Sequence, residues 1–221
     1  MTNRRTLLAV AHGTRSAAGQ RQIRDLVAAV ARRRPRLDVR LSYADVQHPR
    51  IGEVTPGVRD AVVVPLLLSA GYHVRVDIAD AVAGTGIPVA ATLGPDDVLL
   101  ASLTRHLPAA ADAVVLAAAG SSDPAWRAGI HEMADRLGGA HVAYASGRDR
   151  PVSDVVAGLR AGGARRIAIA AYLLADGQFY RTLHRAGADL VTPPLCLDPA
   201  VAGLVLRRFE TASLTMAAAP L

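Results

Sequence analysis

The feature that most constrains this chain is a pattern that occurs twice along it. A short apolar run followed by a glycine is found at Thr6–Ala11 before Gly13, and again at 114–118 before Gly120. Each run precedes a segment whose apolar residues recur at helical spacing, which in the first half are Ile23, Leu26, Val27 and Val30. Self-similarity over about half of a chain indicates a duplicated domain.

The repeat extends to a second pair of apolar runs, at 62–68 and 167–174, each of which ends near a glycine. We therefore predict two lobes of similar fold, one over residues 1–107 and one over residues 112–210. Residues 211–221 are rich in small side chains and are predicted to form a frayed tail.

The apolar runs also indicate the fold class. Residues 61–68 and 167–175 are apolar throughout rather than alternating, which is typical of parallel strands that helices cover on both faces. We predict an α/β protein with two three-layer α/β/α lobes, each with a mainly parallel four-stranded sheet. The first half has an interrupted segment at 50–59 where the second has a helical pattern at 152–161, so a shortened helix or a loop is expected there.

Composition excludes several classes of protein. Hydrophobic residues make up 51% of the chain, which excludes wholesale disorder. Cys196 is the single cysteine, so neither an intramolecular disulfide nor a cysteine-based metal site is possible. No apolar run reaches the ~18 residues of a membrane helix, and the apolar run near the N-terminus is too short for a signal peptide. We expect a soluble, cytoplasmic protein that does not bind membranes.

All 25 basic residues are arginine, and with 19 acidic residues the net charge is +6. This balance fits either an arginine-rich proteome or a polyanionic partner. Nucleic acid is disfavoured as that partner, because aromatic residues make up only 4% of the chain. The one basic cluster, 32–34, ends a predicted helix, where cations suit the helix dipole.

Ionisable residues follow all three predicted strands of the first half. His12 follows the first strand, Asp45 the second and His73 the third. Ligands of open parallel sheets bind at the carboxyl ends of the strands, so these side chains are expected at one edge. The corresponding residues of the second half are Ala119, Ser146 and Phe179. Because the scaffold is repeated and the ionisable groups are not, we infer that these groups serve function rather than folding.

Two imidazoles and a carboxylate suit Fe(II), Co(II), Ni(II) or Zn(II), and the set leaves coordination positions open. We predict that His12 and His73 bind a metal ion. Asp45 is either a third ligand or the cap of an Asx-turn. Gly13 and Gly71 are predicted to form tight turns that let a ligand approach closely.

The string AHGTR around His12 and the segment 64–78, VPLLLSAGYHVRVDI, resemble the sirohydrochlorin chelatases, which are class II chelatases. The similarity covers nearly the whole chain, including the two-half layout of the longer members. It implies insertion of a divalent metal, Fe²⁺ first and Co²⁺ next, into sirohydrochlorin without ATP, in a cleft between the halves. No cofactor is implied beyond the substrate metal, for which Ni²⁺ or Zn²⁺ could substitute in vitro. The family's ligands fall on His12 and His73, and this chain has Asp45 where the family often has glutamate.

The resemblance also implies a substrate with eight carboxylates, which arginines beside the strand ends could bind. The predicted substrate-binding residues are Arg15, Thr14, Arg50, Arg75 and Gly71. Thr14 could also cap the helix that begins nearby. Either imidazole could accept a pyrrole proton, with Asp45 as a competitor.

A different hypothesis remains open, in which the protein carries a metal or a tetrapyrrole at the same site without turnover. Because two fused halves could close one cleft alone, we expect a monomer.

Overall fold

The structure is a computed structural model. It describes the backbone of residues 4–69, 72–121, 123–147 and 149–217, and the side chains of these residues except 72–75 and 216–217.

The first lobe is built on three parallel strands, β1 (Thr6–Ala11), β2 (Asp38–Tyr43) and β3 (Ala61–Pro65). Their order is β2-β1-β3, so β1 is central. Every residue of β1 and of β3 is buried. This confirms the prediction that the apolar runs are parallel strands covered on both faces.

Three helices connect or follow these strands: α1 (Ala17–Arg33), α2 (Ile51–Val54) and α3 (Tyr72–Val82). In α1 the buried apolar residues are Ile23, Leu26, Val27 and Val30, as their spacing predicts. With four residues and a following 3-10 turn, α2 confirms the expected shortened connection.

The second lobe has four parallel strands in the order β5-β4-β6-β7. They are β4 (Ala113–Ala118), β5 (His141–Tyr144), β6 (Ile167–Tyr172) and β7 (Leu190–Val191). The remaining helices are α4 (Asp97–His106), α5 (Pro124–Arg136), α6 (Val152–Ala161), α7 (Gln178–His184) and α8 (Pro199–Ala217).

The predicted class, two α/β lobes with parallel sheets and helices on both faces, is confirmed. The prediction of four strands is wrong for the first sheet, which has three. In place of a fourth strand it has a single parallel bridge between Val63 and Val89. The bridge stands where Ile169 of β6 pairs with Val191 of β7 in the second sheet. Pro88 directly precedes Val89 and has no N–H to donate, so it cannot extend the pairing toward the start of β3.

The core of the first lobe has helices on each side of the sheet. On one face Leu8, Val10 and Val63 pack with Ile51 of α2 and Ile78 of α3. On the other face α1 packs against β2, and α8 packs against both β3 and α1. The sheet is therefore the middle of three layers.

The two compact units of the structure do not coincide with the two sequence repeats, because α8 packs in the first unit. One unit contains the residues up to Gly94 together with those from Pro199 onward, and the other contains Pro95–Asp198. Arg208 of α8 donates hydrogen bonds to the carbonyl oxygens of Thr92 (2.8 Å) and Leu93 (3.1 Å), inside the first unit. The predicted boundaries at 107 and 112 stay a prediction about the sequence repeat. In the structure α4 belongs to the second unit and α8 to the first.

The predicted tail is corrected in part. Residues 211–217 continue α8, and the buried hydroxyl of Ser213 donates to the carbonyl oxygen of Phe209 (2.9 Å). Residues 218–221 lie outside the described residues. No helix in the described part of the chain is both long enough and apolar enough to cross a membrane.

Candidate metal centre

The carboxyl edge of the first sheet carries the predicted metal-binding positions. His12 directly follows the central strand β1 and is exposed. Asp45 comes two residues after β2, and its backbone N–H donates to the carbonyl oxygen of His12 (3.0 Å). His12 and Asp45 are therefore neighbours, as their positions after adjacent parallel strands predict.

Gly13 lets the loop after β1 approach the loop after β2 closely. Its φ is +99°, and a Cβ at this position would lie 2.5 Å from the carbonyl oxygen of Asp45. Gly120 has a φ of +107°, and its Cβ would lie 3.0 Å from the carbonyl oxygen of Ser146. The predicted tight turn at Gly13 is confirmed, and both lobes use the same close approach of two backbones.

Asp45 is exposed and forms an ion pair with a predicted substrate residue. Its Oδ1 lies 3.2 Å from an Nη of Arg50. The backbone N–H of Val46 contributes most to lowering the pKa of Asp45, and the charges of Arg50 and His12 lower it further. The carboxylate of Asp45 therefore stays ionised to a lower pH than that of an ordinary aspartate. Its role as a third metal ligand stays a prediction.

The turn after His12 differs from the prediction at Thr14. Ser16 caps α1, accepting the N–H of Gly19 on its Oγ (3.3 Å). Thr14 instead fixes the preceding turn, since its Oγ1 accepts the N–H of Ser16 (3.1 Å) and its own N–H donates to Oε1 of Gln47 (3.0 Å). The predicted cap by Thr14 is wrong, because the chain enters helical geometry two residues later. Arg15 is exposed beside this turn.

Glu53 belongs to this edge and was not identified from the sequence. Its Oε1 lies 3.0 Å from Nδ1 of His48, and its Oε2 accepts the backbone N–H of Arg50 (2.9 Å). The N–H of Arg50 contributes most to lowering the pKa of Glu53, and His48 adds to it. A glutamate three positions after a helix N-cap is the spacing of a capping box, and that signal could have identified it.

The third strand leads to the remaining predicted residues. The backbones of His73 and Arg75 lie in the first turn of α3, which follows β3 at the same edge as His12. Their side chains lie outside the described residues, as does Gly71. Among the described side chains, no three histidine, cysteine, aspartate or glutamate residues are grouped to hold a metal ion. Metal binding by the pair His12 and His73 therefore stays a prediction.

The second lobe repeats the loop construction in detail. Nε2 of Gln20 donates to the carbonyl oxygen of Thr14 (2.9 Å), and Nε of Arg127 donates to that of Ser121 (2.8 Å). The N–H of Asp123, which caps α5, donates to Oγ of Ser121 (3.1 Å), as the cap of α1 does to Thr14. The sequence repeat is therefore also a repeat of hydrogen bonds.

At the positions that correspond to the predicted metal ligands, the second lobe carries other groups. Oγ of Ser146 donates to the carbonyl oxygen of Ala119 (2.6 Å). Phe179 is exposed at the second position of α7, as His73 occupies the second position of α3. Where the first lobe has ionisable groups, the second lobe therefore has a backbone-bound hydroxyl, a methyl group and a ring.

Solved structures with the same architecture include chelatases. SirB from Bacillus subtilis, solved with Fe³⁺, is 19% identical, with a TM-score of 0.75 over 97% of this chain and 98% of that one. SirB from Bacillus subtilis subspecies spizizenii, a sirohydrochlorin chelatase in complex with cobalt, is 20% identical, with a TM-score of 0.74 over 96% of each chain. CbiX, described as the terminal enzyme for sirohaem biosynthesis in denitrifying bacteria, is 21% identical, with a TM-score of 0.68 over 94% of this chain and 99% of that one.

At these identities the structures establish a shared fold. No curated protein matches the chain. The sequence model of the CbiX family matches it twice, over residues 6–110 and over residues 113–212, so that each match covers one of the two repeats. With nearly the whole length matched in this way, the chain belongs to the CbiX family.

Proposed function

We propose that this protein is a chelatase that inserts a divalent metal, Fe²⁺ first and Co²⁺ next, into sirohydrochlorin without ATP. The observation that carries the proposal is the edge of the first sheet, where His12 lies beside Asp45 and the helix with His73 follows the neighbouring strand. Membership of the CbiX family and the metals bound by SirB support it.

The substrate metal would reach the site at His12. This side chain is exposed, so a hydrated ion can exchange one water for a neutral imidazole nitrogen while it keeps its other waters. The ionised carboxylate of Asp45 beside it attracts the cation. Few and exchangeable ligands are what a delivery site needs, because the ion must pass on to the four nitrogens of the macrocycle.

Insertion releases two protons, one from each pyrrolic N–H that the metal replaces. The N–H of Val46 and the guanidinium of Arg50 hold the pKa of Asp45 low, so its carboxylate is a poor proton acceptor. We therefore propose that an imidazole, that of His12 or of His73, accepts these protons. Asp45 then contributes charge rather than proton transfer.

The arginines at the same edge would bind carboxylates of the substrate. Arg50 uses one Nη toward Asp45, and a guanidinium has five N–H donors, so it can bind a substrate carboxylate as well. Arg15 is exposed three residues after His12. Arg75, Thr14 and Gly71 complete the proposed substrate site.

The test is an anaerobic metallation assay with sirohydrochlorin and either Fe²⁺ or Co²⁺, in which the change in absorbance reports the rate of metal insertion. We expect wild type to exceed the protein-free rate with both metals and to be faster with Fe²⁺. His12→Ala should lower kcat/KM on the order of 100-fold, about 2.7 kcal/mol of transition-state stabilisation. His131→Ala, which removes an exposed imidazole from α5, is the matched control and should retain the wild-type rate.

A wild-type rate equal to the protein-free rate would favour the carrier function over catalysis. If His12→Ala metallated as fast as wild type, the proposed site would be wrong even if the activity were real. A faster rate with Co²⁺ would reverse the proposed order of metals.

A further inference from the structure

A pocket lined by arginines lies at the edge of the first sheet opposite to the candidate metal centre. An open pocket of about 510 Å³ lies between the C-terminal end of α1 and α8. Arg5, which precedes β1, is part of its wall, whereas His12 follows β1 at the other end of the strand. The volume lies within the range of small-molecule binding sites.

The pocket has an excess of positive charge. Its lining includes four guanidinium groups, those of Arg5, Arg33, Arg34 and Arg36, and one carboxylate, that of Glu210. An Nη of Arg34 lies 2.5 Å from that carboxylate. Three other cations line the pocket, and among the described residues Arg5 alone of these three has a carboxylate partner, that of Asp60 outside the lining.

Two of these three arginines are held in place by the protein. An Nη of Arg33 donates to the carbonyl oxygen of Pro199 (2.7 Å), and Nε of Arg5 donates to Oδ1 of Asp60 (2.9 Å). Each of these bonds uses one of the five N–H groups of a guanidinium and leaves others for a ligand. Arg36 is exposed in the turn that follows α1. The arrangement suits carboxylates, which arginine binds through two parallel hydrogen bonds.

The rest of the lining is apolar. Leu206 and Phe209 of α8 contribute to it with Pro35 and Leu37. Both residues of α8 are more than nine-tenths buried, so they form a fixed wall rather than a mobile surface. They present a small apolar area to the pocket, so a ligand with an apolar body as well as negative charge suits it.

The fold does not require this cluster. Tyr43 follows Gly13 by 30 positions, whereas Tyr144 follows Gly120 by 24. The additional residues lengthen α1 to 17 residues against 13 in α5 and lengthen the turn that follows it, and three of the four arginines, Arg33, Arg34 and Arg36, lie in this stretch. The helix dipole favours a cation at such an end, yet α5 has only Arg136 in its last turn. A feature present in one copy of a repeated scaffold indicates a purpose other than folding.

We propose that this pocket is a binding site for organic polycarboxylates, anions with a rigid apolar body and two or more carboxylates, separate from the metal centre at His12. The arginines bind the carboxylates, and the leucine and phenylalanine side chains of α8 contact the body of the ligand.

Isothermal titration calorimetry on the full chain tests the proposal, with 1,2,4,5-benzenetetracarboxylate as probe and inorganic pyrophosphate as an anion without an apolar body. We expect saturable binding of the benzenetetracarboxylate at least tenfold tighter than that of pyrophosphate. Arg36→Glu should weaken this binding at least tenfold. Arg32→Glu is the matched control, because it makes the same charge change in the last turn of α1 without touching the pocket, and it should alter affinity less than twofold.

Other results would overturn the proposal. They are no saturable binding by wild type, equal weakening by the two glutamate variants, or equal affinity for both anions. His12→Ala must bind the probe as wild type does, since loss of binding there would place the probe at the metal centre. Arg36→Ala, which only removes charge, should weaken binding in the same direction and excludes misfolding of the glutamate variant as the cause.

Discussion

At the scale of single residues, Gly13 determines how the loop after β1 meets the loop after β2. Its backbone passes so close to Asp45 that a methyl group would contact a carbonyl oxygen, which cannot move aside as a flexible side chain could. The φ of +99° adds strain for any other residue. The close approach of His12 and Asp45 therefore depends on the absence of a side chain at Gly13.

Gly13→Ala should therefore lower the free energy of unfolding by about 1–3 kcal/mol. Gly52→Ala is the control, because a Cβ there meets nothing within 4 Å and the residue lies in α2, where alanine is favoured by up to about 1 kcal/mol. Urea titrations of both variants test this. Equal midpoints for Gly13→Ala and wild type would contradict the close approach.

The sequence predicted the turn at Gly13 and the edge that His12 shares with Asp45, because glycine and the ends of parallel strands have direct structural meaning. It did not predict that Ser16 caps α1, since Thr14 has an equally suitable hydroxyl and only the backbone angles choose between them. Glu53 was missed because the helix that it caps has only four residues.

At the scale of elements, β6 begins between two aspartates. Oδ2 of Asp112 accepts the N–H groups of Arg165 (2.9 Å) and Arg166 (2.7 Å), and Oδ2 of Asp189 accepts that of Ile167 (2.7 Å). These backbone hydrogen bonds are the main reason that the pKa of each aspartate is lowered. The start of the strand is thus fixed by charge as well as by pairing.

The pH dependence follows from the direction of these shifts. A lowered pKa in the folded state contributes stability above the unfolded pKa, and this contribution is lost as pH falls through the folded value. Asp189→Asn should therefore be less stable than wild type at pH 7, and the gap should narrow as pH falls below about 4. Urea midpoints across this range provide the measurement, with Asp25→Asn on the exposed face of α1 as control. A gap that is independent of pH would contradict the role of the charge.

Among the elements, the buried strands β3 and β6 and the helix α1 were predictable, because continuous apolar runs and helical spacing are strong signals. The reduction of a fourth strand to one bridge at Val89 was not, since short apolar segments look alike whether they pair once or several times. The helical character of residues 211–217 was also missed, because small residues carry little periodic signal.

At the scale of the whole molecule, the two units differ in how the chain builds them. The second unit is continuous, from Pro95 to Asp198, whereas the first needs α8 from the far end of the chain. The sequence revealed the repeat but not this exchange, because α4 and α8 have similar apolar patterns and either could cover either sheet. Tertiary packing and the lengths of the connections decide which of the two helices covers which sheet.

A fragment of residues 95–198 should therefore fold cooperatively on its own, and a fragment of residues 1–94 should not, because it lacks the apolar face of α8 that covers β3. Trp126, the single tryptophan, lies in the second unit, so its fluorescence reports on that fragment. Circular dichroism follows the other fragment. Cooperative melting of residues 1–94 would contradict the requirement for α8.

The position of α8 after the second unit in the sequence also has a consequence for synthesis. A ribosome releases the chain from its N-terminus, so residues 95–198 emerge complete while the sheet beneath His12 still lacks one of its covering helices. The lobe whose strands are translated first is thereby finished after the other lobe, and the sheet that carries the candidate metal centre gains this covering helix only once residues 199–217 have emerged.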